Sequence, residues 1–98
     1  MRYEIEKTAN VDKWLRSRKN RSYRVRLLAR FERIRNGNFG DYKPITKDLF
    51  ELRFFFGGGL RIYYTVKHNK IVLLLVGGDK STQRKDIELA KQLLDDLE

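Results

Sequence analysis

With 98 residues, a net charge of +9 and no cysteine, the chain is predicted to form one domain, residues 1–98, with a modest core. The lack of cysteine excludes disulfides and thiolate metal sites. No apolar run approaches the roughly 18 residues that a membrane span needs, and no signal-peptide pattern opens the chain. We therefore expect a cytoplasmic protein without a membrane partner.

The positive charge is concentrated in the N-terminal half. Residues 1–46 contain 13 Lys and Arg against 5 Asp and Glu, whereas residues 47–98 contain 9 against 8. Between Arg16 and Arg35 there are nine basic residues and a single acid, Glu32. Such a block favours a polyanionic partner, either nucleic acid or an acidic protein segment. The alternative is a solvated helical face that only keeps the protein soluble.

The first six residues alternate weakly between polar and apolar side chains, which predicts a short strand. The next segment is predicted to be a helix that is capped by Thr8 or Asn10 and carries Val11, Trp14 and Leu15 on one face. At this spacing, Trp14 is expected to be a core residue rather than a platform on which a base stacks.

A second helix is predicted over about residues 22–35. Arg26, Arg30 and Arg33 fall at i, i+4 and i+7 on one of its faces. Like charges at this spacing cost a few tenths of a kcal/mol per pair, so the ridge favours a compensating anionic partner. The inward face of this helix is expected to carry Leu27, Leu28, Phe31 and Ile34.

Beyond a loop at residues 36–44, the pattern predicts three strands and a final helix. The strands are expected at residues 49–56, 60–67 and 71–76, joined by a three-glycine loop and a two-residue turn. The helix is expected at residues 81–98. The order β-α-α-β-β-β-α indicates an α+β fold, a small antiparallel sheet with two N-terminal helices on one face and a C-terminal helix.

The glycine loop sets the predicted register of the first two of these strands. A three-residue loop pairs Phe56 with Leu60, and Arg53 then faces Tyr63. We expect the two N-terminal helices to cover the apolar face that results. That face carries Phe50, Leu52, Phe54, Phe56, Leu60, Ile62, Tyr64 and Val66.

The two-residue turn after Lys67 sets the register of the last strand. It is expected to place Arg61 opposite Val76, with Val72, Leu74 and Val76 on the second face of the sheet. The C-terminal helix is the element left to cover these side chains.

Three cations are predicted to converge at the uncovered part of this second face. Arg61 is expected beside Gly77-Gly78, Lys80 follows the strand, and Arg53 is diagonal to Arg61. The glycines allow a sharp turn or a close approach to a ligand. The aromatic neighbours of the cations are Phe55 and Tyr63.

A purely structural interpretation of these cations is also open. Arg53 then pairs with Glu51 or Asp79, and Arg61 pairs with Asp79 or the C-terminal helix. His68, the one histidine, lies in a hairpin turn far from the cluster and is not expected to be catalytic. The sequence contains no metal-ligand cluster, nucleotide-binding glycine loop or nucleophile–histidine arrangement, so no cofactor is expected.

Four segments carry a family resemblance: residues 39–44 (FGDYKP), 51–53 (ELR), 59–64 (GLRIYY) and 77–83 (GGDKSTQ). Taken in this order, they resemble the addiction-module killer proteins, which are HigB-like members of the RelE/ParE toxin superfamily. The similarity covers nearly the whole chain. The fold of that superfamily agrees with the order of helices and strands given above.

The resemblance implies a bacterial toxin that a helix-turn-helix antitoxin neutralises. Ribonuclease members of the superfamily cleave mRNA without a metal, commonly in the ribosome, and the ribose 2′-OH attacks the adjacent phosphate. Arg61 matches the arginine that contacts the scissile phosphate, Arg53 lies in a region of basic residues, and Lys80 lies where others carry arginine or histidine. These three residues are the catalytic candidates. The candidates for RNA binding are Arg26, Arg30, Arg33 and Tyr63.

The proton acceptor and donor are less well defined than the cations. Lys80 is the candidate general acid, and Asp79 or Glu51 the candidate base. Because no histidine lies near and no tyrosine follows Lys80 as in some members, two alternatives stay open. One is a ParE-like toxin that binds DNA gyrase without chemistry, and the other is a non-toxic basic module that binds RNA.

Overall fold

A computed structural model of the chain describes residues 2–97 and has the predicted order of helices and strands with one strand added. The strands are β1 (Glu4–Lys7), β2 (Tyr42–Pro44), β3 (Phe50–Arg53), β4 (Arg61–Lys67) and β5 (Ile71–Gly78). The helices are α1 (Ala9–Arg16), α2 (Arg24–Arg35) and α3 (Gln83–Asp96), with short 3₁₀ segments at Arg18–Tyr23 and Lys80–Thr82. Met1 and Glu98, at the ends of the predicted first strand and last helix, lie outside the described residues.

The α+β fold is confirmed, but the sheet is mixed rather than wholly antiparallel. Its strands run in the order β1-β5-β4-β3-β2. β1 pairs in parallel with β5, and the other neighbours are antiparallel. β2 lies inside the predicted loop and has only three residues, too few for an alternating pattern to reveal. It forms an edge of the sheet, where Pro44 is tolerated although it has no N–H to donate.

α1 and α2 cover the face of the sheet that the alternation predicts to be apolar. Thr8 caps α1, since its Oγ1 accepts a hydrogen bond from the Val11 N–H at 3.2 Å. Trp14 packs against the core on this side, as predicted. Leu28 is 52% exposed, contrary to its predicted inward position, because the buried face of α2 is formed by Leu27, Arg30, Phe31 and Ile34. The buried core on this face comprises Val11, Leu15, Leu27, Phe31, Ile34, Leu52, Phe54, Leu60, Ile62, Tyr64, Val72 and Leu74.

α3 covers the opposite face through Ala90 and its partly buried apolar residues. The core on that side comprises Leu49, Tyr63, Leu73, Leu75, Val76 and Ala90. Within residues 2–97, none of the helices combines the length and the apolar character that crossing a membrane requires.

The predicted register between β3 and β4 is wrong by two residues. Arg53 lies directly opposite Arg61, and the loop has five residues rather than three. The reason lies in the three glycines, whose φ angles of 61°, 73° and 80° turn the chain so that the N–H groups of Gly59 and Leu60 both donate to the Phe56 carbonyl. Because the shift is an even number of residues, every side chain stays on its predicted face.

The predicted register between β4 and β5 is wrong by one residue, which moves side chains to the other face. Lys67 lies opposite Ile71, so Val72 and Leu74 belong to the core under α1 and α2. A β-bulge in β5 then restores the predicted orientation of Val76, which packs under α3. As a result Arg61 lies opposite Gly78 rather than Val76.

Candidate functional site

The structure brings the three predicted catalytic cations to one groove of about 560 Å³. Arg53 and Arg61 face each other across β3 and β4, and Lys80 begins the 3₁₀ segment that follows β5. The direct cross-strand pairing brings the two arginines closer than the predicted diagonal. The groove is lined by Asp41, Arg53, Phe54, Phe55, Gly58, Gly59, Arg61 and Lys80.

A buried carboxylate holds Arg61 in place. Glu51, on β3, is only 1% exposed, and its Oε1 lies 3.6 Å from Arg61 Nε. The other oxygen, Oε2, accepts a hydrogen bond from Gln83 Nε2 at 2.7 Å, while Arg61 Nη1 donates to the carbonyls of Gly59 and Leu60. Glu51, a candidate base from the sequence, therefore lies behind the guanidinium as its counter-ion.

Arg53 is held from the other side of the groove. Its Nη2 donates to Asp41 Oδ1 at 3.0 Å, and this hydrogen bond, with the charge of Asp41, raises the pKa of Arg53. Arg53 therefore pairs with neither of the two acids expected from the sequence. Asp41 is a site residue that sequence reasoning missed, although it lies within the motif at residues 39–44.

Lys80 differs from the two arginines in its surroundings. It is exposed and, within residues 2–97, forms no salt bridge or side-chain hydrogen bond. The carboxylates of Glu51 and Asp41 partly neutralise Arg61 and Arg53, whereas Lys80 has no acidic partner among residues 2–97 and its side-chain donors are free. An anion that enters the groove meets Lys80 as its least compensated cation.

Asp79 does not serve the groove as a base. Its Oδ1 accepts a hydrogen bond from the Ser81 N–H at 2.8 Å, and its Oδ2 accepts one from Lys19 Nζ at 3.1 Å. Hydrogen bonds from the Ser81 side chain first, and then from Lys19, lower the pKa of Asp79 to about 2. Such a carboxylate is a weak proton acceptor, and its role is to cap the 3₁₀ segment that carries Lys80.

The low pKa of Asp79 predicts an acid-dependent loss of stability. Because the folded-state pKa of about 2 lies below the ordinary value of 3.8, the ionised carboxylate stabilises the fold above about pH 4. This stabilisation is lost as the pH falls toward 2. Asp79→Asn keeps a side chain that can cap but removes the charge. We expect its melting temperature to lie below that of the wild type at pH 7 and the difference to shrink by pH 2. A difference that is independent of pH contradicts the assignment.

The exposed aromatic residue at the groove is Phe55, not Tyr63. Tyr63 is 0% exposed, and its buried hydroxyl has no hydrogen-bond partner among residues 2–97. Burial raises the pKa of this phenol, so Tyr63 is a neutral core residue that does not reach a ligand. Phe55 is 90% exposed at the rim. The alternation along β3 already places it on the non-core face, which is the signal that identifies it.

Gly77 and Gly78 make room for protein side chains rather than for a ligand. A Cβ atom at Gly77 would overlap the ring of Trp14, and one at Gly78 would overlap the carboxylate of Asp86. Neither glycine has a positive φ. The two glycines therefore let α1 and α3 pack closely against the end of β5, immediately before Asp79.

The three arginines of the predicted ridge on α2 differ in their exposure. Arg26 and Arg33 are exposed, but Arg30 is only 8% exposed. The guanidinium of Arg30 donates to the carbonyls of Phe39 at 3.0 Å, Asp41 at 2.8 Å and Arg53 at 3.0 Å. The expectation of a three-residue exposed ridge is wrong, because the inner arginine is bound to backbone carbonyls.

His68 is not among the residues that line the groove. His68 is exposed in the turn between β4 and β5. Across residues 2–97 there is no group of three or more histidine or acidic side chains placed to hold a metal ion.

The chain is similar to phage-derived proteins. Residues 13–95 match the family described as phage derived protein Gp49-like (DUF891). A relative from Haemophilus influenzae, named as an uncharacterized protein, is 43% identical over 97 residues, which make up 99% of this chain and 98% of the relative. No solved structure gives a significant match. The chain therefore belongs to the phage-derived Gp49-like family, a toxin-like family of addiction modules.

Proposed function

We propose that the protein is a HigB-like toxin of the RelE/ParE superfamily and acts as a metal-independent mRNA endoribonuclease. The observation that carries the proposal is the convergence of Arg53, Arg61 and Lys80 in one groove. Fixed cations at such a place stabilise the negative charge that develops on phosphorus when a phosphodiester is attacked. The resemblance of the four sequence segments to HigB-like addiction-module killer proteins supports the same conclusion.

The proposed reaction needs one proton acceptor and one proton donor. The ribose 2′-oxygen gives its proton to a base and bonds to the adjacent phosphorus, and the bond from phosphorus to the 5′-oxygen breaks. The leaving 5′-oxygen takes a proton from an acid. The products are a 2′,3′-cyclic phosphate and a 5′-hydroxyl.

The groove offers a residue for each proton transfer. Lys80 is the proposed acid, because it is exposed and lacks an acidic partner in the described chain. Asp41 is the proposed base, since it lines the groove and, among residues 2–97, Arg53 engages only its Oδ1. Glu51 is buried behind Arg61, and both oxygens of Asp79 are engaged, by Ser81 and Lys19. Arg53 and Arg61 are the proposed charge stabilisers.

The proposal is tested with purified protein and a labelled single-stranded RNA. We expect Lys80→Gln to lower the cleavage rate by about 100-fold and to change binding of an uncleavable 2′-O-methyl RNA by less than about tenfold. The matched control is Lys85→Gln, which removes an exposed lysine of α3 and should cleave as the wild type does. Equal cleavage rates for the wild type and Lys80→Gln would show that Lys80 takes no part in the reaction.

Expression in bacteria separates the proposal from its alternatives. New 5′ ends in mRNA that disappear in the Arg61→Gln variant support cleavage. Intact mRNA together with induced DNA damage favours a gyrase-binding toxin instead, and RNA binding without cleavage or toxicity favours a simple RNA-binding module.

The proposed partners follow from the proposed activity. We propose mRNA as the substrate, either free or engaged in the ribosome, and a cognate helix-turn-helix antitoxin as the neutralising protein. The uncompensated charge of Lys80 and of the α2 surface favours an antitoxin segment that is acidic where it covers the groove.

A further inference from the structure

We propose that the groove continues past Phe55 into a second basic depression on α2, and that the two depressions together bind a single strand of RNA. One base stacks on Phe55, and the phosphates on either side of it lie in the two depressions. The inference rests on the proposed function, because it specifies how the substrate of that site is held.

The two depressions are neighbours that share a wall. The second has a volume of about 580 Å³, similar to that of the catalytic groove. Both are lined by Asp41, Phe54 and Phe55. The second is otherwise lined by Arg26, Ala29, Arg30, Arg33, Asn38, Gly40 and Phe56. An extended chain that leaves the catalytic groove across Phe55 therefore enters it directly.

Phe55 forms part of the wall between the two depressions and is unusually exposed for an aromatic residue. The residues on either side of it, Phe54 and Phe56, are buried or partly buried, whereas Phe55 is 90% exposed. The glycine loop holds it there, outside the β3–β4 ladder. An exposed aromatic ring between cationic depressions is the arrangement on which bases of single-stranded nucleic acids stack.

The cations of the second depression are available to a phosphate. Arg26 lies over the rings of Phe56, at 4.3 Å, and Tyr23, at 5.4 Å, which orients its guanidinium without neutralising it. Neither Arg26 nor Arg33 forms a salt bridge with an acidic residue in the part of the chain that the structure describes. The buried Arg30 adds a third positive charge beneath them.

The alternation of phosphates and bases favours a single strand over other polyanions. In a duplex, the flat face of a base is already stacked and is not available to Phe55. An acidic protein segment would satisfy the arginines, but it offers a planar partner only where an aromatic side chain falls at the required position, whereas every nucleotide carries a base. An aromatic ring with a cationic depression on each side therefore favours RNA with unpaired bases.

The test measures fluorescence anisotropy of labelled 2′-O-methyl RNA, which keeps base and phosphate but has no nucleophile. We expect Phe55→Ala to weaken binding of a ten-nucleotide single strand about tenfold, and Phe55→Tyr to bind as the wild type does. Hairpin RNA should be insensitive to Phe55→Ala. The double variant Arg26→Gln/Arg33→Gln should weaken binding and make the slope of log Kd against log salt shallower by about 1.

The matched control is the double variant Lys85→Gln/Lys91→Gln, which removes two exposed charges from α3, outside both depressions. It should leave the Phe55-dependent part of binding unchanged. Thermal melting of each variant confirms that it is folded.

The outcomes separate this inference from the proposed function. Wild-type cleavage with binding that is unaffected by Phe55→Ala and by the arginine variant overturns the inference alone. Failure of the wild type to bind or cleave any RNA overturns both. A polyglutamate peptide that binds more tightly than RNA and depends on Phe55 assigns the second depression to an acidic protein and overturns the inference.

Discussion

Replacing Arg61 with glutamine is expected to lower the rate of RNA cleavage by about 100- to 1,000-fold. Arg61 is the least exposed cation of the groove, with a side chain 14% exposed against 38% for Arg53, and it contacts Glu51 and the carbonyls of Gly59 and Leu60. A charge that is already in position stabilises the transition state without reorganisation, and removal of one such donor typically has an effect of this size. Single-turnover cleavage of a labelled RNA measures it.

The same substitution is expected to destabilise the fold, which has to be separated from the loss of activity. Without Arg61, the carboxylate of Glu51 is buried with Gln83 as its one remaining hydrogen-bond partner among residues 2–97. Breaking a buried ion pair in this way costs roughly 3 kcal/mol in the free energy of unfolding. Glu51→Gln in the Arg61→Gln background removes the unpaired charge, and we expect it to restore most of the stability.

The double variant decides the role of Arg61. If Arg61→Gln/Glu51→Gln regains stability in urea unfolding but not cleavage, the guanidinium acts on the substrate. If cleavage returns with stability, Arg61 is a structural residue and the proposed mechanism is wrong.

The faces of the sheet could be predicted from the sequence because alternation is a local property. Phe54 and Ile62 lie on the predicted core face, and Arg53 and Arg61 lie on the other, although the loop between their strands has five residues instead of three. A register error of two residues preserves the faces, so the convergence of the cations does not depend on the exact loop.

The error at β5 has a different origin. Strand 71–78 is apolar on both faces, since both are covered by helices, and such a run contains no alternation from which its register can be read. The extra residue of the bulge opposite Tyr63 and Tyr64 leaves no mark in the sequence. Val72 and Leu74, which precede the bulge, lie on the face opposite to the predicted one because the turn before β5 has three residues, 68–70, rather than two.

The roles of charged residues were the least predictable part of the site. Asp41 is 12 residues from its partner Arg53, and Glu51 is 32 residues from Gln83. These pairings depend on which loop packs beside which strand. Helical periodicity placed Arg30 in a ridge with Arg26 and Arg33, and nothing in its spacing indicated that three carbonyls lie where its guanidinium reaches.

Arg30→Met is expected to be one of the most destabilising single substitutions in the protein, at roughly 3–5 kcal/mol in the free energy of unfolding. Methionine can occupy the space of the aliphatic stem, but it removes the guanidinium donor of the Phe39 and Arg53 carbonyls. The Asp41 carbonyl loses the same donor and keeps the Arg53 N–H. Unpaired buried polar groups cost far more than an average hydrogen bond contributes. Urea unfolding of the variant and the wild type measures the loss.

The matched control is Arg24→Met, which replaces an exposed arginine of the same helix and should change stability by less than about 0.5 kcal/mol. The loss of stability in Arg30→Lys should lie between those of Arg30→Met and Arg24→Met. An ammonium keeps the charge but lacks the planar guanidinium that donates to three acceptors. Equal stability of the Arg30→Met and Arg24→Met variants would show that Arg30 is a surface residue after all, as the helical pattern predicts. If the loss is large, Arg30 holds the backbone of Asp41, whose carboxylate binds Arg53, and thereby connects α2 to the groove.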